Sequence, residues 1–443
     1  MRWLEDSPAI DHVTAAAADI NGILRGKRLP RNQVEKAFKG SLRMPLSSVG
    51  VDIWGSDVLG NAQVFETGDA DGVLQPTERG ILPVTWTKQP TALLPLWVAN
   101  EDGSAYAGDS RRVLANIVER FHSAGLTPVT ATELEFYLVD PKKNRPRPPK
   151  SAISGERLAF NGVYSADELD AFGPFLRDLY AGCEAQGIPA DAAIAENGCG
   201  QFEINLLHVA DPLRAADDAL FFKRLVKGVA RRHGLAASFM AKPYGDQSGS
   251  GFHVHFSLID KNGRNVFDNG GVDGTDILHH AVGGLLAAMA ESTLLFAPHL
   301  NSYRRLRKGT HAPVAPAWGY ENRTTAIRIP GGAPVARRIE HRVAGADANP
   351  YLVMAALLGA ALIGIERQMR PADPIEGDAY ALDLPCLPTD WPSAMAAFEA
   401  GKLATEILNP TLHKMITACK RQEMERFAAH VTDFEYQSYL DVV

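Results

Sequence analysis

Four stretches of the chain alternate between apolar and polar residues with a period of two. In residues 132–138 (TELEFYL), Glu133 and Glu135 share one parity while Leu134, Phe136 and Leu138 share the other. In 201–206 (QFEINL), Gln201, Glu203 and Asn205 oppose Phe202, Ile204 and Leu206. In 251–258 (GFHVHFSL), His253, His255 and Ser257 oppose Phe252, Val254, Phe256 and Leu258. In 338–343, Arg338, Glu340 and Arg342 oppose Ile339, His341 and Val343. Successive side chains of a strand point to opposite faces. The pattern therefore predicts a half-buried antiparallel sheet with an apolar back against helices and a polar front.

Elsewhere the apolar residues recur at intervals of three and four. Residues 107–121 follow an Asp/Ser N-cap signal and predict a helix start, where a domain boundary is placed. Residues 170–187 and 212–233 read as helices in the same way. The longest apolar stretches are 277–298, which carries His279, His280 and Glu291, and 351–365, which is too short to span a bilayer. Both predict buried helices. The tail, 391–443, predicts a helical cap. Residues 1 to about 100 hold turns and short apolar runs at 47–51, 62–65, 84–86 and 93–98, which predict a small domain of short strands after an opening helix. The stretch 141–150 (PKKNRPRPPK) predicts an irregular loop.

Composition narrows the class. At 443 residues the chain exceeds a usual single core, so two domains are expected. Its hydrophobic content of 46% and net charge of -7 suit a globular protein and argue against nucleic acid or an anionic membrane as partner. The start, MRWLEDSPAIDHV, has no basic segment leading into an apolar core, and the four cysteines show no CxxC spacing. A reducing, cytoplasmic setting is expected. Against this acidic background residues 301–342 carry eight arginines, which reads as an anion site because arginine grips carboxylates and phosphates in a plane. The polar front would gather Glu133, Glu135, Glu203 and Glu340, with Glu196 just upstream. Alternating polar residues also simply face water in many antiparallel sheets; the other reading is a hard divalent cation that resolves the repulsion among the carboxylates. Metals beside arginines suggest phosphoryl transfer, and no Walker motif is present.

Taken together, TELEF (132–136), GQFEINL (200–206), GSGFHVHFSL (249–258), NSYRRL (301–306), APV (312–314), ENRTTAIRIP (321–330), RRIEHR (337–342) and ANPYL (348–352) resemble the glutamine synthetase superfamily. The wording of GSGFHVH and WGYENRT is closer to its γ-glutamylpolyamine and γ-glutamylmonoamine synthetase branch. The resemblance implies an α+β fold: a small N-terminal β-grasp domain (1–106), then a larger catalytic domain (107–443) whose curved antiparallel sheet is backed by helices. It implies a homo-oligomer, a dodecamer of two hexameric rings, that binds L-glutamate, ATP, a small amine and Mg²⁺ or Mn²⁺. The activity implied is an ATP-dependent ligase acting through a γ-glutamyl phosphate and releasing ADP and phosphate. A glutamine synthetase using ammonia and a non-catalytic relative are the alternatives.

Residue by residue, Glu135, Glu196 and Glu203 match the ligands of one metal, and Glu133, His253 and Glu340 those of a second. His255, Ser257, Arg328 and Arg338 match nucleotide-contacting positions. Gly249, Arg305 and Arg342 match glutamate-binding positions, and Arg323 the arginine facing the transferred phosphoryl. The loop 304–316 matches the one that covers the family's site. Three positions depart from the ammonia-using members. A glutamate is replaced by His311, an asparagine by Ser248, and the neighbouring subunit's DGSS block is only weakly echoed in DIWGSDV (52–58), where Asp52 or Asp57 stands in for its aspartate. The loss of fixed negative charge points to an organic amine.

Overall fold

The computed structural model describes residues 2–60, 68–141 and 145–443. The short run at 62–65 expected as a strand lies outside them, as do 142–144 of the proline-rich loop. Six strands of the N-terminal part, β1 (His12–Ala18), β2 (Leu24–Pro30), β3 (Arg43–Pro45), β4 (Asp71–Pro76), β5 (Leu82–Val84) and β6 (Thr91–Ala99), form one sheet. Its order is β2-β1-β6-β4-β3, with β5 also on β6, and β1 runs parallel to β6. The opening helix is only Arg2–Glu5, and the run at 47–51 is a 3-10 turn, Leu46–Val49, instead of a strand. Pro45 and Gly50 bracket that turn, and neither favours a continuing ladder.

The second sheet has eight strands: β7 (Leu126–Val139), β8 (Ala190–Ala195), β9 (Gln201–Val209), β10 (Ala236–Ser238), β11 (Phe252–Asp260), β12 (Trp318–Tyr320), β13 (Ile327–Ile329) and β14 (Ile339–His341). The order is β12-β13-β14-β11-β7-β9-β8, with β10 on β7. The parity expected of the four alternating stretches is the parity observed. Leu134, Phe136, Phe202, Ile204, Phe252, Val254, Phe256 and Ile339 are all buried. They pack with the helices Ser110–Ser123, Gly173–Gln186, Pro212–Arg232, Asp276–Phe296 and Pro350–Glu366 into one core. The tail supplies further helices, Trp391–Glu399, Lys402–Leu408, Pro410–Ala428 and Asp433–Tyr439.

Two contacts fix this scaffold. The helices Asp276–Phe296 and Pro350–Glu366 cross where Gly284 meets Gly364; a β-carbon on Gly284 would fall 2.1 Å from the Ala360 carbonyl oxygen. Only glycine allows backbones so close. Asp109 caps the helix Ser110–Ser123 by accepting from Arg111 N, and its other oxygen accepts from Val98 N in β6. One carboxylate thus joins the first sheet to the first long helix. All four cysteines are free, and no described helix is long and apolar enough to cross a membrane.

Candidate active site

Cross-strand register turns the alternating patterns into rows of side chains. Arg328 of β13 lies opposite Glu340 of β14, and Glu340 opposite His255 of β11. In the next row, His253 lies opposite Glu133 of β7, and Glu133 opposite Asn205 of β9. In the third, Glu135 lies opposite Glu203, and Glu203 opposite Ile194 of β8. The polar front is therefore a continuous patch in which four acids and two imidazoles are near neighbours.

Glu133 sits between the imidazoles, accepting from His253 Nδ1 at 3.1 Å and His255 Nε2 at 2.9 Å. Arg338 Nε donates to His255 Nδ1 at 3.3 Å, and because arginine only donates, the His255 proton belongs on Nε2. Burial alone would raise the Glu133 pKa, but the two histidine hydrogen bonds outweigh it and hold the carboxyl well below its ordinary range. Burial also acts on Glu340, yet Arg342, His255 and His253 overcome it and hold that carboxyl at about 2. Arg328 donates to Glu340 at 2.8 Å and to Glu321 at 3.1 Å, and Arg342 completes the Glu340 pair.

At Glu203 and Glu196 the opposing charges of Arg342 and Arg323 are not enough. Burial, then the charges of Glu133, Glu135 and Glu196, push Glu203 up to about 9. Burial and then Glu135 push Glu196 up to about 7. Such pooled carboxylates hold a proton or a cation. Two groups bring one ligand atom from each member within 4.8 Å of the others: Glu133, Glu203 and His253, and Glu133, His255 and Glu340. Buried oxygens of Gln201 and Asn205 on the same face are without a hydrogen-bond partner. An oxygen-rich set with imidazoles suits a hard divalent cation.

These groupings differ from the partition expected from the resemblance. Glu133 is drawn between the two histidines and takes part in both groups. Glu135 is occupied by Gly251 N at 2.8 Å and Gln201 Nε2 at 3.3 Å. His255, expected only at the nucleotide, also faces the cation set.

Apart from Asp52 and Asp57, every expected site residue lines one of two cavities that meet at Glu133 and Asn205. The first, of about 520 Å³, takes in Glu135, Glu196, Glu203, His253, Glu340, Gly249, Ser248, Arg305, His311, Arg323, Arg328 and Arg342. The second, of about 610 Å³, takes in His255, Ser257 and Arg338 among apolar Val129, Leu206, Phe256, Ile259 and Val335. Arg328, expected at the nucleotide, falls in the first because its guanidinium pairs with Glu340. Of the eight arginines in 301–342, Arg337 turns away to the Gly271 carbonyl, and Arg304 and Arg307 are exposed.

Arg305 is seated by the carbonyls of Val343, at 2.7 Å, and Arg342, at 3.3 Å. A β-carbon on Gly249 would fall 2.8 Å from its Cγ, and one on Gly251 2.9 Å from its Nη2, so both glycines make room for it. The loop after it is tied down by Thr310 Oγ1 to the Arg305 carbonyl at 2.6 Å and by Tyr380 OH to the Ala312 carbonyl at 3.0 Å. His311 stands between, exposed and in the left-handed region at φ 60. Asn197 Nδ2 donates to Ser248 Oγ at 3.2 Å, which brings a carboxamide next to Ser248. Asp52 is 1% exposed and accepts from Trp54 N, Ser56 N and Gln422 Nε2, so it is spent on its own loop and the helix Pro410–Ala428, whereas Asp57 is exposed.

Val163, Tyr164 and Ile194 also line the first cavity and were not expected there. Alternation in β8 (ADAAIA) is masked by alanine, so Ile194 gives no signal before its register is known.

Residues 107–439 match the catalytic domain of glutamine synthetase. The chain is 36% identical to γ-glutamylputrescine synthetase of Escherichia coli (strain K12), over 98% of this chain and 93% of that protein. It is 32% identical to γ-glutamylethanolamide synthetase of Streptomyces coelicolor, over 96% of this chain and 92% of that protein. Among solved structures, GmaS without ligand superposes with a TM-score of 0.86 at 26% identity, covering 99% of this chain and 98% of that one. On these grounds, and on the eight ordered motifs that carry the site, the chain belongs to the glutamine synthetase family.

Proposed function

We propose that the protein is an ATP-dependent ligase that joins the γ-carboxylate of L-glutamate to an organic amine, releasing ADP and phosphate. The observation that carries this reading is the pair of cavities meeting at Glu133, one apolar and one lined by opposed carboxylates and arginines. The apolar cavity suits a base and sugar, with His255, Ser257 and Arg338 toward the phosphates. The polar cavity suits an amino acid, with Arg305 and Arg342 for its carboxylate and Gly249 leaving room beside them. A divalent cation held by the Glu133, Glu203, Glu196, His253 and Glu340 set would supply charge compensation for the phosphoryl group.

Arg323 offsets charge that develops as the phosphoryl moves onto the γ-carboxylate. The resulting γ-glutamyl phosphate has a good leaving group, which the amine displaces, forming the amide. The tethered loop at 304–316 keeps water from wasting that intermediate. His311 carries no fixed negative charge, and its ring face accepts a carbon substituent, so an alkyl or aryl amine fits better than ammonium. Relatives act on putrescine and ethanolamine by name, which supports the amine class. The 107–443 part is the catalytic domain, working in a homo-oligomer where exposed Asp57 reaches a neighbouring site. Phosphate release with glutamate, ATP and Mg²⁺ across a panel of amines tests the reading. Release with organic amines is expected; release with ammonia alone would replace it by glutamine synthesis.

A further inference from the structure

The first cavity has one apolar sector that the chemistry above leaves unused. Ile194 pairs with Glu203, so by strand parity it belongs to the polar front, yet it is a branched hydrocarbon at the end of a row of carboxylates. Val163 and Tyr164 join it from a turn docked on the same strand, where Tyr164 N donates to the Ala195 carbonyl at 2.8 Å. Tyr164 is held at φ 55, a left-handed conformation that a bulky L-residue rarely adopts. Ser165 follows at once as the N-cap of the helix Ala166–Ala171, which locks the turn. Val163 is 50% and Tyr164 72% exposed, so their apolar surface is open to a ligand.

We propose that Val163, Tyr164 and Ile194 receive the carbon substituent of the amine and select a short, uncharged one, favouring a monoamine over a diamine. This rests on the ligase reading. An alkyl chain laid on this sector leaves water on both sides, a gain that ammonia lacks. The second ammonium of a diamine would meet hydrocarbon there, trading part of its hydration for surface that offers it no partner. The adjoining carboxylates, Glu196 and Glu203, are those assigned to the cation.

The test is kcat/KM from phosphate release with glutamate, ATP and Mg²⁺, using ammonia, methylamine, ethylamine, propylamine and 1,4-diaminobutane. The unmodified enzyme is expected to gain about fourfold per added carbon, and to prefer propylamine to 1,4-diaminobutane by about tenfold or more. Val163→Ala and Ile194→Ala are expected to lower the propylamine-to-ammonia ratio by about three- to tenfold each, a ratio in which any loss of folded enzyme cancels. Val163→Asp is expected to move preference toward 1,4-diaminobutane. A flat chain-length series, a preference for the diamine in the unmodified enzyme, or ratios unmoved in both alanine variants would overturn the proposal while leaving the ligase reading intact. Turnover with ammonia alone would overturn the organic-amine reading and this proposal with it, and no turnover with any amine would overturn the ligase reading as a whole.

Discussion

Two sets of buried acids in this chain have opposite surroundings. Glu423, fully buried on the helix Pro410–Ala428, accepts from Ile53 N at 2.8 Å, Asn21 Nδ2 at 3.3 Å and Lys420 Nζ at 2.8 Å. Asp217 is gripped at 2.9 Å by two nitrogens of Arg111, whose guanidinium also stacks on Trp97 at 3.9 Å, and it takes the Tyr351 hydroxyl at 2.6 Å. These carboxylates are matched donor for acceptor and tie the N-terminal part to the helices. In the cavity, Glu203 and Glu196 meet other carboxylates instead, and their pKa values climb. Matched acids serve the fold, while pooled acids store repulsion that a bound cation would relieve.

The sharpest way to break this contrast is to remove one acid from each set. Glu203→Ala should lower turnover by at least about a hundredfold, because the cation set loses a ligand. Its thermal unfolding midpoint should hold or rise, since a carboxyl with a raised pKa is a burden to the folded state. Near-normal turnover in trace metal would dissolve the distinction. Arg323→Lys should cut kcat by about a hundredfold while moving ATP affinity within about threefold, because a point charge cannot reproduce a planar two-point grip. Equal losses in steady-state and binding measurements would make Arg323 a binding residue only.

Glu423→Ala should do the reverse of Glu203→Ala. It leaves Lys420 buried without its counter-charge and should cost about 3–5 kcal/mol in denaturant unfolding. The kcat of the folded fraction should stay within about threefold, and a collapse like that of Glu203→Ala would mean that the two sets are not separate. The next effect is one of pH. Glu196 and Glu203 have folded pKa values raised to about 7 and about 9 from 4.5, so the folded chain binds more protons between those limits. Their contribution is most favourable below pH 4.5 and is lost as pH rises toward 9. Without divalent ions the midpoint should fall between pH 6 and pH 9, and the increment from added Mg²⁺ should grow over that range. A calorimetric increment that shrinks with pH would reject the assignment of these acids to the cation.

The smallest effect expected is at His311. His311→Glu should shift the amine-to-ammonia preference toward ammonia by only a few fold, about the size of one added charge contact near a surface. With Asp52 buried and hydrogen-bonded within the fold, on the proposed reading the neighbouring aspartate would be Asp57, so the substitution alone would restore only part of an ammonium pocket. Steady-state kinetics with ammonia and alkylamines would show the shift; movement in the other direction would remove His311 from the amine's surroundings.

The site was legible where chemistry follows alternation. Glu133, Glu135, Glu203, His253, His255 and Glu340 declare their face through parity alone, because their strands have one apolar and one polar side. Parity does not reveal which strand lies beside which, so the closest groupings, with Glu133 central to both, appear only with the register. β1 (HVTAAAA) escaped notice because alanine carries little strand preference, and β2 (LRGKRLP) because an edge strand is charged instead of apolar. The turn bearing Val163 and Tyr164 has no periodicity at all. Its place is set in part by a backbone hydrogen bond from Tyr164 N to Ala195 of β8, which no local pattern encodes.

Glu133 and Asn205 stand in the wall between the two cavities and belong to both. A ligand settling on one side would alter the field and the side-chain order presented to the other. The free energy of such coupling is a property of the pair, so on the proposed reading whatever factor a nucleotide added to amino-acid binding, the amino acid would return to the nucleotide. Because both chambers lie on one face of the sheet and share these two side chains, occupancy of either would be felt in the other.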